Sequence, residues 1–331
     1  MKFNEKAPRY QAGHVELREG VGPVTRMCPI GDFLEVYKVD RTFRIYAPES
    51  LDPNETNPNM SWTATCTSKV GSGNLIVSRV FIQPHEALKD VTLKKGIDKK
   101  DIIKQLHRSK ELLLSAESAY EDIVSQRNYW EGKLSSGEIK KKGNIYIPFP
   151  IIENLVSNVS VFLSNTKNFI QTHTDIFNEF YHTSFNGPRF DVIIKWCKKN
   201  LSAEDGFIRF LEEQNGILKY ITDLRNAQEH PKEDSYLTIE NFKLTPDNQI
   251  CTPRWFLSAE NPTDICLDMQ AIIRFLIEFS EVFILFCLSA NLNTWLPYRV
   301  LEISEKNRDA VCPIRFVLEI DPDEVMKRIK K

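Results

Sequence analysis

The amino-acid sequence predicts an α+β fold, in which an N-terminal β-rich domain is followed by a mainly antiparallel helical bundle and a short C-terminal β-hairpin. Three observations support this fold class. β-Branched and aromatic runs alternate with turn residues before residue 95, apolar residues recur with a helical period from residue 98 onward, and two strand-like runs lie within residues 298–321. The predicted parts are a β-rich domain (1–95), a long amphipathic helix with a basic linker (96–144), the helical bundle (145–292), and the hairpin with its tail (293–331).

Four runs within residues 1–95 have the composition of strands, namely 32–39, 42–46, 61–67 and 75–83. Each is rich in the β-branched and aromatic side chains that sheets favour. The segment 47–59 between them contains three prolines and three asparagines, which are typical of turns. No catalytic motif occurs in this part, so we expect it to serve binding or oligomerisation.

The helical part begins with a run whose apolar positions repeat at three and four residues. The predicted helices are 98–134, 151–182, 189–200, 203–230 and 264–292. The stretch 135–144 is expected to be a loop and a domain boundary, because it combines small residues with a lysine run. A turn-rich insert, 231–262, separates the last two helices.

Composition excludes several classes of function. With 43 Lys and Arg against 45 Asp and Glu, the net charge of −2 argues against a broad cationic surface for nucleic acid. All 13 glycines lie at or before Gly216, which argues against a glycine-rich phosphate loop in the last 115 residues. The seven cysteines form no CxxC pair, so we do not expect a zinc ribbon. We expect free thiols, as in a protein of a reducing compartment.

The most apolar segment, Ala271–Ala290, predicts a buried helix of a bundle. It carries Arg274, Glu278 and Glu281, and each charge would cost roughly 2.5–3.5 kcal/mol at the centre of a bilayer. The N-terminal residues also lack the apolar stretch of a signal peptide. We therefore expect a cytoplasmic protein with no membrane partner.

The end of the fourth predicted helix carries the most informative motif. Arg225 is followed directly by Asn226, and His230 comes after four intervening residues, just before Pro231. This arrangement at a helix end resembles the HEPN family of helical-bundle domains, many of which are metal-independent ribonucleases. The resemblance covers about residues 145–292.

Two further pairs have a similar spacing but not the same context. Arg9 and His14 lie in a terminus rich in helix breakers, and Arg79 and His85 begin in a predicted strand and span a proline. We therefore expect neither pair to lie on a bundle helix. The Arg225 motif alone combines a helix end, the following asparagine and a proline stop.

The resemblance implies an endoribonuclease that needs no metal and no cofactor. His230 would act as general base or acid, because an imidazole with a pKa near 6.5 can do either near neutrality. Arg225 would hold the scissile phosphate, and Asn226 would orient His230 or the phosphate. Attack by the 2′-hydroxyl would leave a 2′,3′-cyclic phosphate. The family also implies a homodimer, a role as a toxin or antiviral-defence effector, and an inhibitory or regulatory protein partner.

The same residues have a simpler interpretation. Arg225 can pair with Glu229 one helical turn later, and His230 can simply favour the negative end of the helix. Two alternatives to catalysis therefore stay open. One is a non-catalytic HEPN-like bundle that binds RNA, another nucleic acid, a nucleotide or a protein, and the other is an unrelated helical protein with a β-rich recognition domain.

Supporting roles are predicted for four residues, each with a structural alternative. His173 lies on the apolar stripe of the helix 151–182, where a core histidine is the common occupant. Arg274, Glu278 and Glu281 form one polar line, which is either the solvent face of its helix or a source of carboxylates for Arg225. The supporting candidates are His173, Glu229, Glu278 and Glu281.

A basic run lies upstream of the bundle. Residues 89–110 hold eight Lys and Arg against three Asp. Such a run is commonly the solvated face of an amphipathic helix, and its functional alternative is a patch that contacts the RNA backbone. The candidate RNA-binding residues are Lys94, Lys95, Lys99, Lys100 and Lys104.

Overall fold

The computed structural model describes residues 8–10, 15–89, 91–143, 145–202, 206–258, 260–293 and 297–329. It has mixed α+β architecture, with a four-stranded antiparallel sheet before the long helices, as the sequence predicts. The described residues form two compact units. Unit 1 comprises residues from 1–110, 179–182 and 280–331, and unit 2 comprises residues from 111–178 and 183–279.

The helices are, in chain order, α1 (Pro48–Leu51), α2 (Gln83–Lys89), α3 (Lys99–Ser135), α4 (Leu155–Tyr181), α5 (Phe190–Asn200), α6 (Gly206–Glu229), α7 (Ile265–Asn291) and α8 (Pro322–Ile329). The strands are β1 (Arg26–Ile30), β2 (Phe33–Tyr37), β3 (Thr42–Tyr46), β4 (Thr63–Ser68), β5 (Lys141–Lys142), β6 (Ile145–Tyr146), β7 (Leu237–Glu240), β8 (Lys243–Leu244), β9 (Ile250–Cys251), β10 (Arg254–Leu257), β11 (Thr263–Asp264), β12 (Tyr298–Glu302) and β13 (Phe316–Ile320). A π-helix, Ile76–Ile82, leads directly into α2.

The sheet of unit 1 has the strand order β1-β2-β3-β4, and all its pairs are antiparallel. Val36, Phe43 and Ile45 form a buried cluster on it. The predicted strands 32–39, 42–46 and 61–67 are confirmed as β2, β3 and β4. Strand β1 was not predicted, because Pro29 reads as a strand breaker, although proline is tolerated on an edge strand.

The prediction of a strand at 75–83 is wrong. The residues form the π-helix and the start of α2, and Asn74 Oδ1 accepts a hydrogen bond from the backbone N–H of Ile76 at 2.7 Å at the helix start. Ile76, Val77 and Phe81 are all fully buried. Burial on both sides of the segment removes the alternation that distinguishes a half-buried strand, and it overrides the weak β preference of valine and isoleucine.

In unit 2, helices α3 and α4 are antiparallel. Asn165 of α4 donates a side-chain hydrogen bond to Ser115 of α3 at 2.9 Å, and Trp130 Nε1 of α3 donates at 2.7 Å to the carbonyl of Ile151, just before α4 begins. Residue numbers therefore increase along one helix while they decrease along the other. The same holds for α4 and α6, as the motif contacts below show. The five predicted helices are confirmed as α3 to α7, with ends shifted by at most a few residues.

The aromatic core of unit 2 centres on Phe279 of α7. Its ring lies 5.5 Å from His173 of α4, 5.3 Å from Phe190 of α5 and 5.8 Å from Phe210 of α6, measured between ring centroids. One aromatic ring thus contacts three other helices, and edge-to-face or offset packing of this kind adds roughly 0.5–1.5 kcal/mol per pair beyond area burial.

The insert 231–262 contains regular structure that the sequence did not predict. Strands β11, β10 and β7 form a three-stranded sheet, and β8 pairs with β9. Trp255 of β10 is fully buried, and its Nε1 donates to Asp268 Oδ2 at 2.7 Å. The insert is therefore anchored to α7 within unit 2.

The predicted C-terminal hairpin is confirmed, since β12 pairs with β13 from Tyr298↔Ile320 to Glu302↔Phe316. Helix α8 after it was not predicted. Among the residues that the structure describes, no helix is both long and apolar enough to cross a membrane.

Candidate functional site

The Arg225 motif lies at the C-terminal end of α6, in unit 2. The helix ends at Glu229, and the backbone N–H of His230 donates to the carbonyl of Asn226 at 2.8 Å. Asn226 and His230 are exposed and Arg225 is half-buried. The imidazole of His230 therefore stands at a helix end where a ligand can reach it.

Arg225 has partners on its own helix. Its Nη1 donates to Gln228 Oε1 at 2.9 Å, and its Nε lies 3.5 Å from Glu229 Oε2. The i,i+4 pair with Glu229 is the one that the simpler interpretation of the motif expects. The Arg225 side chain is 16% exposed and the Glu229 side chain 40%, and the N···O separation is long for a charged hydrogen bond. With one partner at the surface, we take the pair to be worth about 0–1 kcal/mol.

A second cation reaches the motif from α4. Lys167 Nζ donates to Asn226 Oδ1 at 2.9 Å and lies 3.9 Å from Glu229 Oε2. Arg225 and Lys167 therefore converge on one carboxylate. The sequence did not identify Lys167, because only the register between α4 and α6 brings it to the motif. The pairing of Phe177 with Phe207 at 6.4 Å belongs to the same antiparallel register.

A cleft of about 420 Å³ begins at Asn226 and lies entirely within unit 2. Its walls come from the start of α5 and from the face of α6 that also carries Asn226. The motif is thus the end of a concave surface.

His173 lies in the core of unit 2. Its Nδ1–H donates to the carbonyl of Phe169 at 2.9 Å, and its ring lies 4.4 Å from that of Phe169. Complete burial lowers its pKa to about 4, so the imidazole is neutral near pH 7. These are the contacts of the core histidine that the sequence offered as the alternative.

The polar line of α7 divides between solvent and interior. Arg274 and Glu278 are exposed, as the solvent-face interpretation expects, but Glu281 is only 2% exposed. Glu281 Oε1 accepts from Arg79 Nε at 2.7 Å, its other oxygen accepts from a second nitrogen of Arg79, and Arg315 Nη1 lies 3.8 Å away. The carboxylate of Glu281 is thus neutralised within unit 1, whereas Arg225 pairs with Glu229.

The pair Arg79 and His85 lies on the π-helix and α2, so the expectation that it starts in a strand is wrong. Arg79 is held by Glu281, and His85 is 5% exposed, with a pKa that burial lowers. Arg79 is thus neutralised by Glu281, and the imidazole of His85 lies largely inside unit 1. Of the pair Arg9 and His14, the histidine lies outside the described residues.

Several lysines of the basic run 89–110 make contacts within unit 1. Lys94 Nζ donates to the carbonyl of Ala290 at 2.6 Å, Lys99 Nζ donates to the carbonyl of Val91, and Lys104 pairs with Asp101 at 3.0 Å. The side chains of Lys95 and Lys100 are exposed.

The last residue of the basic run, Lys110, belongs to a buried charge cluster that the sequence did not predict. Lys110 and Glu35 of β2 are 1% and 0% exposed and form an ion pair. His107 Nε2 lies 2.9 Å from Glu35 Oε1, Arg44 Nη2 lies 3.3 Å from the same oxygen, and the Tyr37 hydroxyl donates to the other oxygen. Burial alone would raise the pKa of Glu35, but the hydrogen bond from His107 and the charge of Lys110 outweigh it and hold this pKa well below its usual range.

The centre of this cluster is closed to solvent within unit 1. Its central carboxylate has no exposed surface, and its cations come from one helix and one neighbouring strand. The available signal was that Glu35 shares its face of β2 with two aromatic residues, Phe33 and Tyr37, since residues two apart on a strand point to the same side. The partner could not be inferred without knowing which helix covers the sheet.

Comparison of this chain with known proteins found no relative. No protein-family model matches the chain, no curated protein is similar to it at a significant level, and no solved structure is similar to it either.

Proposed function

We propose that this chain is a metal-independent endoribonuclease of HEPN type that cleaves RNA at the end of α6. The observation that carries the proposal is the convergence of Arg225 and Lys167 on Glu229, directly beside the exposed imidazole of His230. Two cations that can hold a phosphate and an imidazole that can take or give a proton are groups that can promote cleavage of an RNA backbone.

The chemistry uses the nucleophile that RNA itself supplies. The 2′-oxygen attacks phosphorus, the bond from phosphorus to the 5′-oxygen breaks, and a 2′,3′-cyclic phosphate and a 5′-hydroxyl result. His230 takes the proton of the 2′-hydroxyl or gives a proton to the leaving 5′-oxygen. In the homodimer that the family resemblance implies, a second copy of His230 would serve the other proton transfer. Arg225 binds the phosphate through its planar fork, and Lys167 adds a point charge.

The contact between Arg225 and Glu229 is weak enough for a phosphate to replace it. A surface pair of this kind contributes about 0–1 kcal/mol, and hydrogen bonds from arginine to phosphate are among the stronger ones in proteins. Glu229 thus acts as a placeholder for the substrate anion.

The same pair also favours a second function. If Arg225 stays with Glu229, the bundle binds RNA at its surface cations without cleaving it. The family resemblance is the basis for a biological role as a toxin or antiviral effector. In such a role, the catalytic form would need an inhibitory or regulatory protein to restrain it.

The test compares the wild type, Arg225→Ala and His230→Ala on single-stranded RNA in the presence of EDTA. We expect the wild type to leave 2′,3′-cyclic phosphate ends and each variant to lose about 100-fold or more in rate, the usual scale for a general acid or base. Arg209→Ala is the matched control, because Arg209 is an exposed arginine on the same helix. Binding without cleavage by the wild type would indicate the second function.

A further inference from the structure

The cleft that begins at Asn226 has the surface of a nucleotide site. Its floor is apolar, because Phe190 and Leu218 line it and are 2% and 1% exposed, and Pro188 adds apolar surface at one side. At about 420 Å³ it lies in the lower part of the range for small-molecule sites, roughly 300–1,000 Å³, which fits one nucleotide.

The wall of the cleft along α6 is a polar stripe. Its members recur at three and four residues, so they lie on one face of the helix. The stripe consists of Asn215, Lys219, Thr222, Asp223 and Asn226. The next position in this series is His230, so a strand that follows the stripe arrives at the proposed catalytic end.

Charged groups in the cleft are left open to a ligand. Among the described residues, neither Lys219 nor Asp223 has an ion-pair partner within 4.0 Å, although both line the cleft. Arg189 at the other side has only the exposed Asp191, at 3.4 Å. Lys219 lies one helical turn before Asp223, but it is not within ion-pair distance of the half-buried carboxylate, which therefore needs hydrogen-bond donors from water or a ligand.

We propose that this cleft binds one unstacked nucleotide next to the scissile phosphate, and that Asp223 selects guanine there. The inference rests on the proposed function. The two oxygens of a carboxylate can accept the N1–H and N2–H groups of guanine side by side, whereas adenine, cytosine and uracil do not offer two adjacent donors on that edge. Lys219 and Arg189 bind the flanking phosphates. A base can enter a concave site only from a single strand, because in a duplex it is stacked and paired.

The experiment uses single-stranded 9-mers that differ only in the central base, with G, A, C or U in an otherwise constant sequence. Cleavage next to that base is measured in EDTA for the wild type, Asp223→Asn and Asp247→Asn. Asp247 is an exposed aspartate in the β8–β9 hairpin, outside the cleft, and serves as the matched control. We expect a preference for guanine of about 10-fold or more, since a good two-point base contact gives roughly 5–150-fold discrimination.

Asp223→Asn should abolish this preference, because an amide presents one acceptor and one donor, and Asp247→Asn should keep it. Lys219→Ala should weaken cleavage of all four RNAs alike, with exposed Lys195→Ala as its control. A wild type that cleaves all four RNAs at the same rate, or cleavage by Asp223→Asn with the same guanine preference as Asp247→Asn, would overturn the proposal.

A binding measurement separates this proposal from the catalytic one. Fluorescence anisotropy with His230→Ala reports RNA affinity without cleavage. Adding Asp223→Asn to this variant should weaken its affinity for the guanine 9-mer about 10-fold and leave its affinity for the uracil 9-mer unchanged. If the wild type cuts nothing and this binding difference persists, only the proposed catalysis fails. If cleavage occurs and the binding difference is absent, only the guanine site fails. Circular dichroism of each variant verifies that it is folded.

Discussion

Charged side chains of this chain differ in whether a protein partner satisfies them. Glu35 and Glu281 are buried, and each is neutralised by cations within unit 1. In unit 2, Lys219 and Asp223 line a cleft without ion-pair partners among the described residues, and Arg225 is held by a hydrogen bond to Gln228 and a long ion pair with Glu229. Groups of the first kind stabilise the fold, and groups of the second kind are available to a ligand.

Lys110→Ala tests the first kind. The change leaves Glu35 buried beside His107 and Arg44 without its closest ammonium partner, so we expect a loss of about 3–5 kcal/mol in the free energy of unfolding. Urea denaturation measures the loss. The exposed Lys104→Ala is the control and should stay within about 0.5 kcal/mol of the wild type. Equal stability of the two variants would show that the cluster contributes little.

The residue scale also shows what the sequence could and could not reveal. Arg225, Asn226 and His230 stand out from their spacing at a helix end. Lys167 and Asp223 do not, since each is an ordinary polar residue of an amphipathic helix. Packing of α4 on α6 brings Lys167 to the motif, and packing of α5 on α6 forms the cleft that Asp223 lines. Tertiary neighbours are decided by helix register, which one sequence does not encode in any local pattern.

At the scale of secondary structure, helix α6 joins the parts of the proposed site. Its buried face packs in the core of unit 2, its polar stripe lines the cleft, and its end carries the motif. Glu229 occupies the last helical position, next to Arg225 and Lys167.

Glu229→Gln tests whether this carboxylate holds the place of a phosphate. Removing its charge frees two cations, so RNA should bind about 5–10-fold more tightly at low salt, in line with roughly 1 kcal/mol for the surface pairs that are lost. The measurement is anisotropy in the His230→Ala background. Glu213→Gln, an exposed glutamate on the same helix, should change nothing. Unchanged or weaker binding by Glu229→Gln would mean that no phosphate enters there.

Helices were predicted better than strands for a physical reason. Amphipathic helices such as α4 and α6 carry several turns of periodic signal. The π-helix at 76–82 is buried on nearly all sides and lacks such a signal. The insert strands are too short to show a pattern, and β10 is held in place by the burial of Trp255. Edge strand β1 contains Pro29, and because proline has a low strand propensity, composition alone does not predict a strand there.

At the scale of the whole molecule, the net charge of −2 makes any contact with RNA a local one. Four cations line the proposed site and its cleft, namely Arg225, Lys167, Lys219 and Arg189. The basic run elsewhere uses Lys94, Lys99 and Lys104 in contacts of its own unit.

Salt dependence of binding measures how many cations take part. Four phosphate contacts on a single strand predict a slope of about −3 for log affinity against log salt, at roughly −0.7 per contact. Titrations of His230→Ala between about 50 and 200 mM salt give this slope. A slope of about −5 or steeper would show that more cations than these four bind each RNA strand, and the account of a single local site would be wrong.

The most direct measurement of the central claim is the rate of RNA cleavage in EDTA by the wild type, Arg225→Ala, His230→Ala and the control Arg209→Ala. We predict 2′,3′-cyclic phosphate products from the wild type and the control, and a loss of about 100-fold or more for both motif variants while they remain folded. Cleavage by Arg225→Ala or His230→Ala at the wild-type rate, or no cleavage by the wild type, would contradict the assignment of the α6 end as a ribonuclease site.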